Sequence, residues 1–331
     1  MPKWLCQPQG AKWGEFGEND QIGRMNLINP RRRRRALAEA VEGQVFLLSL
    51  PLDYPKGGIF PGRHAPVLSP TTARDGRTMY DWTVDGAIDV VNDDRVTMDL
   101  QYSTQWDGLS HYGIRFDADQ DGEAEHIFYN GFRADVDFVQ PADGVAPQAM
   151  ALGIENLAAS CVQGRGVLVD IRRAGCGSHG LVNYEALQQA MDEQGVVVET
   201  GDFLCIYTGY ADLLLRDGEG VDPARMSACP GLDGTDPKLL QWIDDSGVAA
   251  ICADNPMVEK IDGVQRCSDK ALMPLHEHCL VKLGIHLGEL WWFGELALWL
   301  AQHQRSAFLL TAPPLNLPGA VGSPAAPIAT V

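Results

Sequence analysis

His276 and Glu289 stand thirteen positions apart in LHEHCLVKLGIHLGE, with Gly284 between them. An imidazole and a carboxylate facing each other across an apolar turn offer a nitrogen and an oxygen donor to a divalent ion. A second pair, Asp107 and His111, stands four apart in QWDGLSHYG, where Gly108 permits a tight bend that would aim both side chains at one point. Such a mixed donor set lowers the pKa of bound water toward roughly 7 and polarises a carbonyl, so the chemistry it suggests is hydrolysis. Proton handling then falls to His276 or Glu289, whichever does not hold the metal. The alternative for each histidine is a satisfied core or surface residue.

Positioning these groups requires a framework, and the rest of the chain supplies one. Three short apolar runs, GVLVDI from Gly166, FLCIYTGY from Phe203 and GVAAICAD from Gly247, suit strands buried on both faces. Between them NYEALQQAMDEQG and DPKLLQWIDDSG open on Asn183 and Asp236 and close on glycine, as capped helices do. Asn29 to Gly43 predicts another helix, with Pro30 in its first turn and the run Arg31 to Arg35 as its solvated face; anion capture by these arginines is the alternative. QVFLLSLPLD predicts a strand ended by Pro51. The Pro- and Gly-rich stretch from Pro55 to Gly76 reads as a surface loop or a lid. The stretch from Pro313 reads as extended chain anchored by Leu315, Leu317, Val321 and Ile328. With no internal repeat and no long linker, a single domain spanning 1–331 is the economical organisation.

Composition narrows the function. A chain of 331 residues that is 45% hydrophobic, with a mean hydropathy of -0.12, builds a sizeable core. Its net charge of -18 repels phosphate backbones and anionic lipid, which argues against nucleic-acid and membrane partners. No signal-like or membrane-spanning run is present, so a cytoplasmic place is expected. The eight cysteines form no C-x-x-C pair and read as reduced, mostly buried thiols.

The segments KWGEFGENDQIGRMNLINP, GRGVLVDIRR, TGDFLCIYTGY, ADNPMVEK, HEHCLVKLGIHLGELWWFGELA and LNLPGAVGSPAAPIA together resemble the cyclase-type metal-dependent hydrolases. That family includes bacterial kynurenine formamidase, isatin hydrolase and trans-dienelactone hydrolase. The resemblance implies an α/β swivelling domain with a central mixed sheet flanked by helices, assembled as a homodimer or homotetramer. It also implies hydrolysis of a small cyclic or aryl amide or a lactone with zinc or manganese. Laid on the family motif H-x-G-T-H-x-D, Asp107 falls at the first histidine, His111 at the second and Gly113 at the aspartate, while His276 and Glu289 match the late pair. Losing the carboxylate at Gly113 removes the bridge a two-metal site needs, so one metal at most is expected.

The acidic loop FDADQDGEAEHIF follows, and His126 within it is a candidate replacement ligand. A calcium loop of D-x-D-x-D-G type is disfavoured there, because Phe128 stands where a bidentate glutamate belongs. Asp254 and Asn255, at the end of an apolar strand, and Trp291 are candidate substrate contacts; a turn cap and a core role are their alternatives. Ser110 lacks a nucleophile turn and reads as structural. Two other functions remain open: a lyase or cyclase using the same metal, and a non-catalytic binding protein.

Overall fold

In the computed structural model, residues 3–174, 180–218, 222–261, 266–267 and 270–331 are described. Nine strands form the main sheet: β1 (Val45–Leu47), β2 (Gln105–Asp107), β3 (Gln163–Asp170), β4 (Phe203–Tyr207), β5 (Ala250–Ala253), β6 (His286–Glu289), β7 (Ala307–Thr311), β8 (Gly322–Pro324) and β9 (Ile328–Thr330). Their spatial order is β1-β9-β7-β3-β4-β5-β6-β2-β8. The middle, β3 to β6, is parallel, and every flanking pair is antiparallel. This is the α/β architecture with a central mixed sheet flanked by helices that the family resemblance implies, and the apolar runs and capped helices fall within it.

Every residue of β4, β5 and β6 is buried, because the parallel centre is covered on both faces. Helices Tyr184–Gln194 and Pro237–Ser246 provide part of that cover through Leu187, Ala190, Met191, Leu239 and Ile243. The side chains of Asn183 and Asp236 accept the first free backbone N–H groups, and Gly195 and Gly247 end the helices at φ 64° and 68°, where a side chain would be strained. Trp106, Phe203, Trp291 and Phe308 fill the opposite face.

Several expectations need correcting. The first helix runs only Pro30–Leu37, after which the chain turns so that Glu39 pairs with Arg165 at 3.1 Å. Its arginines split their roles: Arg35 pairs with Glu199, Arg32 and Arg33 donate to the carbonyls of Leu27 and Ser160, and Arg31 and Arg34 are exposed. Only Val45–Leu47 of the predicted strand around Pro51 is regular, since Leu50 N–H turns to the Thr104 hydroxyl at 2.9 Å. The stretch from Pro55 to Gly76 contains a strand, Val67–Pro70, paired with Asp94–Thr97.

At the C-terminus the chain is extended, but Leu315, Leu317 and Ile328 are exposed and the anchors are Ala312, Ala325, Ala329 and Val331, with the backbone ladders of β8 and β9. Of the thiols, Cys205, Cys252 and Cys279 are buried, Cys6 and Cys229 half-buried, and Cys161 and Cys267 exposed; none of these is in a disulfide, and Cys176 lies outside the described residues. Among the described residues no helix is long and apolar enough to cross a membrane.

Candidate metal centre

Strand register builds the site. Antiparallel pairing of β2 with β6 sets Asp107 opposite Leu287 and Gln105 opposite Glu289. Side chains alternate along a strand, so Gln105, Asp107 and Glu289 share one face while Trp106 and Gly288 take the other. His276 arrives from a helical turn, Pro274–His276, that continues as a π-helical turn, Glu277–Leu283, and reverses at Gly284 with φ 66°. No side chain fits at Gly284, because a Cβ would lie 2.6 Å from the Tyr129 ring.

Asp107, His276 and Glu289 are all buried, and one ligand atom from each lies within 4.8 Å of the others. His276 Nε2 is 3.3 Å from Glu289 Oε1 and 4.0 Å from Asp107 Oδ2. His111 borders the group, its Nε2 3.7 Å from Asp107 Oδ1, with 23% of its side chain exposed. The structure therefore brings Asp107, His111, His276 and Glu289 to one place.

Two residues that sequence reasoning left unassigned organise them. Gln105 Nε2 donates to Asp107 Oδ1 at 3.1 Å and to Glu289 Oε2 at 2.9 Å, bridging two carboxylates that would otherwise repel. Glu259 takes the Nδ1 edge of His276 at 2.7 Å and also accepts the backbone N–H groups of Leu275 and His276, each at 3.0 Å. With Nδ1 committed as a donor, the Nε2 lone pair is free for a cation. Gln105 was traceable as the residue two before Asp107 on a strand. Glu259 carried no spacing signal, since a long separation joins it to His276.

Electrostatics and hydrogen bonding agree that something positive belongs here. Among the described residues, Asp107 Oδ2, Glu289 Oε1 and Gln105 Oε1 are buried without a hydrogen-bond partner, a costly arrangement for polar oxygens. Burial and the Asp107 carboxylate push the Glu289 carboxyl up. For His276 burial would lower the imidazole, but the hydrogen bond to Glu259 and the neighbouring Glu289 carboxylate outweigh it and raise it to about 10. A divalent ion would satisfy the Asp107 and Glu289 oxygens by replacing the protons, and mixed oxygen and nitrogen donors accept such an ion.

Other candidates lie elsewhere. His126 is exposed on the strand Glu125–Ile127, opposite Arg115, and is not part of the ligand group; hairpin register turns it to solvent. Asp117, Asp119 and Glu125 do cluster, yet Arg133 fills that hollow, 2.9 Å from Asp119 and 3.1 Å from Glu125. Gly113 cannot be relieved by a carboxylate, since a Cβ there would lie 2.7 Å from the Ile127 carbonyl oxygen.

Trp291 is not a substrate wall: it is fully buried, donates from Nε1 to the Gln105 carbonyl at 3.1 Å and meets Trp106 edge-on at 5.0 Å. It occupies the face opposite the site because Gly288 leaves room there; a Cβ on Gly288 would lie 2.8 Å from its indole. Asp254 is a backbone anchor, accepting the N–H groups of Thr208 at 2.6 Å and Gly209 at 2.8 Å, and burial raises its carboxyl to about 7. Ser110 is structural, donating to the Leu152 carbonyl at 2.9 Å. Asn255, by contrast, borders a cavity of about 220 Å³ beside Glu259.

Comparison with known proteins identifies the class. The profile of the Cyclase family matches residues 46–260, and this chain belongs to that family. A crystal structure described as a novel cyclase is 32% identical over 98% of this chain and 99% of that chain, with a TM-score of 0.78. Isatin hydrolase A from Labrenzia aggregata shares the fold at 15% identity, covering 87% and 93% of the two chains with a TM-score of 0.57. The isatin hydrolase A of Ralstonia solanacearum shares it at 13% identity, covering 89% and 94% with a TM-score of 0.54. Comparison with curated proteins returns no match.

Proposed function

We propose that this protein is a metal-dependent hydrolase cleaving a small cyclic or aryl amide or a lactone. The observation that carries the reading is the buried trio Asp107, His276 and Glu289, whose facing oxygens lack hydrogen-bond partners. These three side chains would hold one zinc or manganese ion, with His111 at the rim. When bound, the ion supplies a water of lowered pKa and a Lewis acid for the carbonyl.

The chain's own groups do the rest. Gln105 keeps the two carboxylates in register, and Glu259 holds His276 in the tautomer that presents Nε2. Because His276 and Glu289 both face the trio's centre, the proton shuttle is assigned to His111, which is partly open to solvent. The names of the isatin hydrolases sharing the fold fit a substrate with an amide in a small ring. On the family resemblance the reading extends to a cytoplasmic homodimer or homotetramer acting on a small molecule.

The test combines metal analysis with turnover. The purified protein is expected to carry about one zinc or manganese per chain, to lose it in Asp107→Ala, and to keep it while losing turnover in His111→Asn. Water-derived ¹⁸O in the product separates hydrolysis from a lyase or ring-closing reaction. A folded protein that takes up no divalent ion would instead be a binding protein on this fold.

A further inference from the structure

The two edges of the main sheet differ. β8 is buried at every residue and carries Pro324, so it is closed to a further strand. At the other edge, β1, Val45 is 63% and Leu47 55% exposed, while Phe46 turns into the core beside Trp299. Ile328 stands opposite Leu47 in the register with β9 and is exposed on the same face. No charged side chain, proline or bulge interrupts Val45–Leu47, although these are the usual protections of an open edge.

The backbone of this edge is open as well. Val331 N–H donates to the Gln44 carbonyl and Leu48 N–H to the Pro327 carbonyl. Hydrogen bonding alternates along an antiparallel pair, so Gln44, Phe46 and Leu48 face β9 while the N–H and C=O groups of Val45 and Leu47 face outward. Among the described residues these outward groups have no hydrogen-bond partner. An edge whose outward residues lie two apart is complementary to itself. Turned about a twofold axis at Phe46, a second copy sets Val45 opposite the partner's Leu47 and Leu47 opposite the partner's Val45, and each pair exchanges both of its N–H···O=C bonds. Opposed side chains share a face, so the exposed valine, leucine and isoleucine of the two copies merge into one apolar cluster.

We infer that β1 joins β1 of a second copy of this chain, antiparallel, so that the two main sheets run on as one across a twofold axis. A second copy is the fitting occupant because the surface matches itself and because the closed β8 edge leaves no head-to-tail pairing that would grow into fibres. The inference goes beyond the hydrolase reading and does not depend on it. It gives the homo-oligomer expected from the family resemblance a specific surface.

The test uses the full chain. Sedimentation gives the solution mass of the wild type and of two variants: Leu47→Lys places a charge in the apolar cluster, and Leu47→Pro removes an outward N–H that β9 does not use, which an edge strand tolerates. Each variant is expected to halve the wild-type mass at equal concentration while keeping the wild-type circular dichroism. Hydrogen exchange at the Val45 amide is expected to be at least about tenfold slower in the wild type than in Leu47→Pro. A monomeric wild type, an unchanged mass in either folded variant, or an unprotected Val45 amide in a wild-type oligomer overturns the inference, the last by placing the contact elsewhere. Should neither variant fold, wild-type exchange at Val45 compared across dilution decides by itself: protection that vanishes as the oligomer dissociates upholds the pairing, and protection independent of concentration overturns it.

Discussion

Glu259 grips His276 twice, at the ring through Nδ1 at 2.7 Å and at the backbone through N–H at 3.0 Å, so one buried carboxylate sets both the position and the tautomer of the imidazole. Replacing Glu259 by Gln leaves a single acceptor oxygen for three donors and a weaker base at His276. Divalent-ion affinity, followed by competition with a chelator, is expected to fall about 10- to 100-fold. Unchanged affinity would remove Glu259 from its supporting role.

His126 gives the contrasting case. Since it is exposed and outside the ligand group, His126→Ala is expected to retain full metal content and turnover within about twofold, as surface substitutions usually do. Elemental analysis of the variant is the direct check, and a halved metal content would reinstate it as a ligand.

Trp291 supports the sheet rather than the substrate. Its removal as Trp291→Ala opens a void under Gly288 and removes the indole's hydrogen bond to the Gln105 carbonyl, and is expected to cost about 3–5 kcal/mol of stability in urea unfolding. KM of the folded fraction should stay near the wild-type value, whereas a raised KM with full stability would point to a substrate wall.

Restoring the family aspartate is expected to fail. Gly113→Asp drives a Cβ toward the Ile127 carbonyl and the Phe128 ring, so the variant should be less stable and should gain no second ion. Two ions per chain in a stable Gly113→Asp protein would show that the hairpin yields more readily than its packing suggests.

Two pH effects follow from burial. His286, buried without a partner for Nδ1, is lowered by burial to about 3. The unfolded chain, with an ordinary histidine near 6.5, therefore binds the proton more readily, and the stability linked to His286 is full above about 6.5 and shrinks as pH falls toward 3. The wild type's advantage over His286→Gln should accordingly be larger at pH 6.5 than at pH 4. Glu289 shifts the other way: its raised carboxyl makes the metal-free fold bind a proton that the unfolded chain releases, so its contribution is present at low pH and is lost as pH rises. An ion needs the ionised form, so the rise in melting temperature on adding zinc or manganese should be greater at pH 8 than at pH 6. Equal rises would count against Glu289 as a ligand.

Residue pattern alone determined the buried strands at Gly166, Phe203 and Gly247 and the helices capped by Asn183 and Asp236, because apolar runs, caps and terminal glycines are local signals. It also singled out His276, Glu289, Asp107 and His111, whose types declare a donor set. What only the tertiary structure decided is everything that depends on strand register and on long-range approach. The pairing of β2 with β6 put Gln105 and Glu289 on one face and sent Trp291 to the other, and the turn before the π-helical segment brought His276 to Glu259. Hairpin register left His126 in solvent. Residue type says what a side chain can do; which partners it meets is set by pairings between segments far apart in the chain.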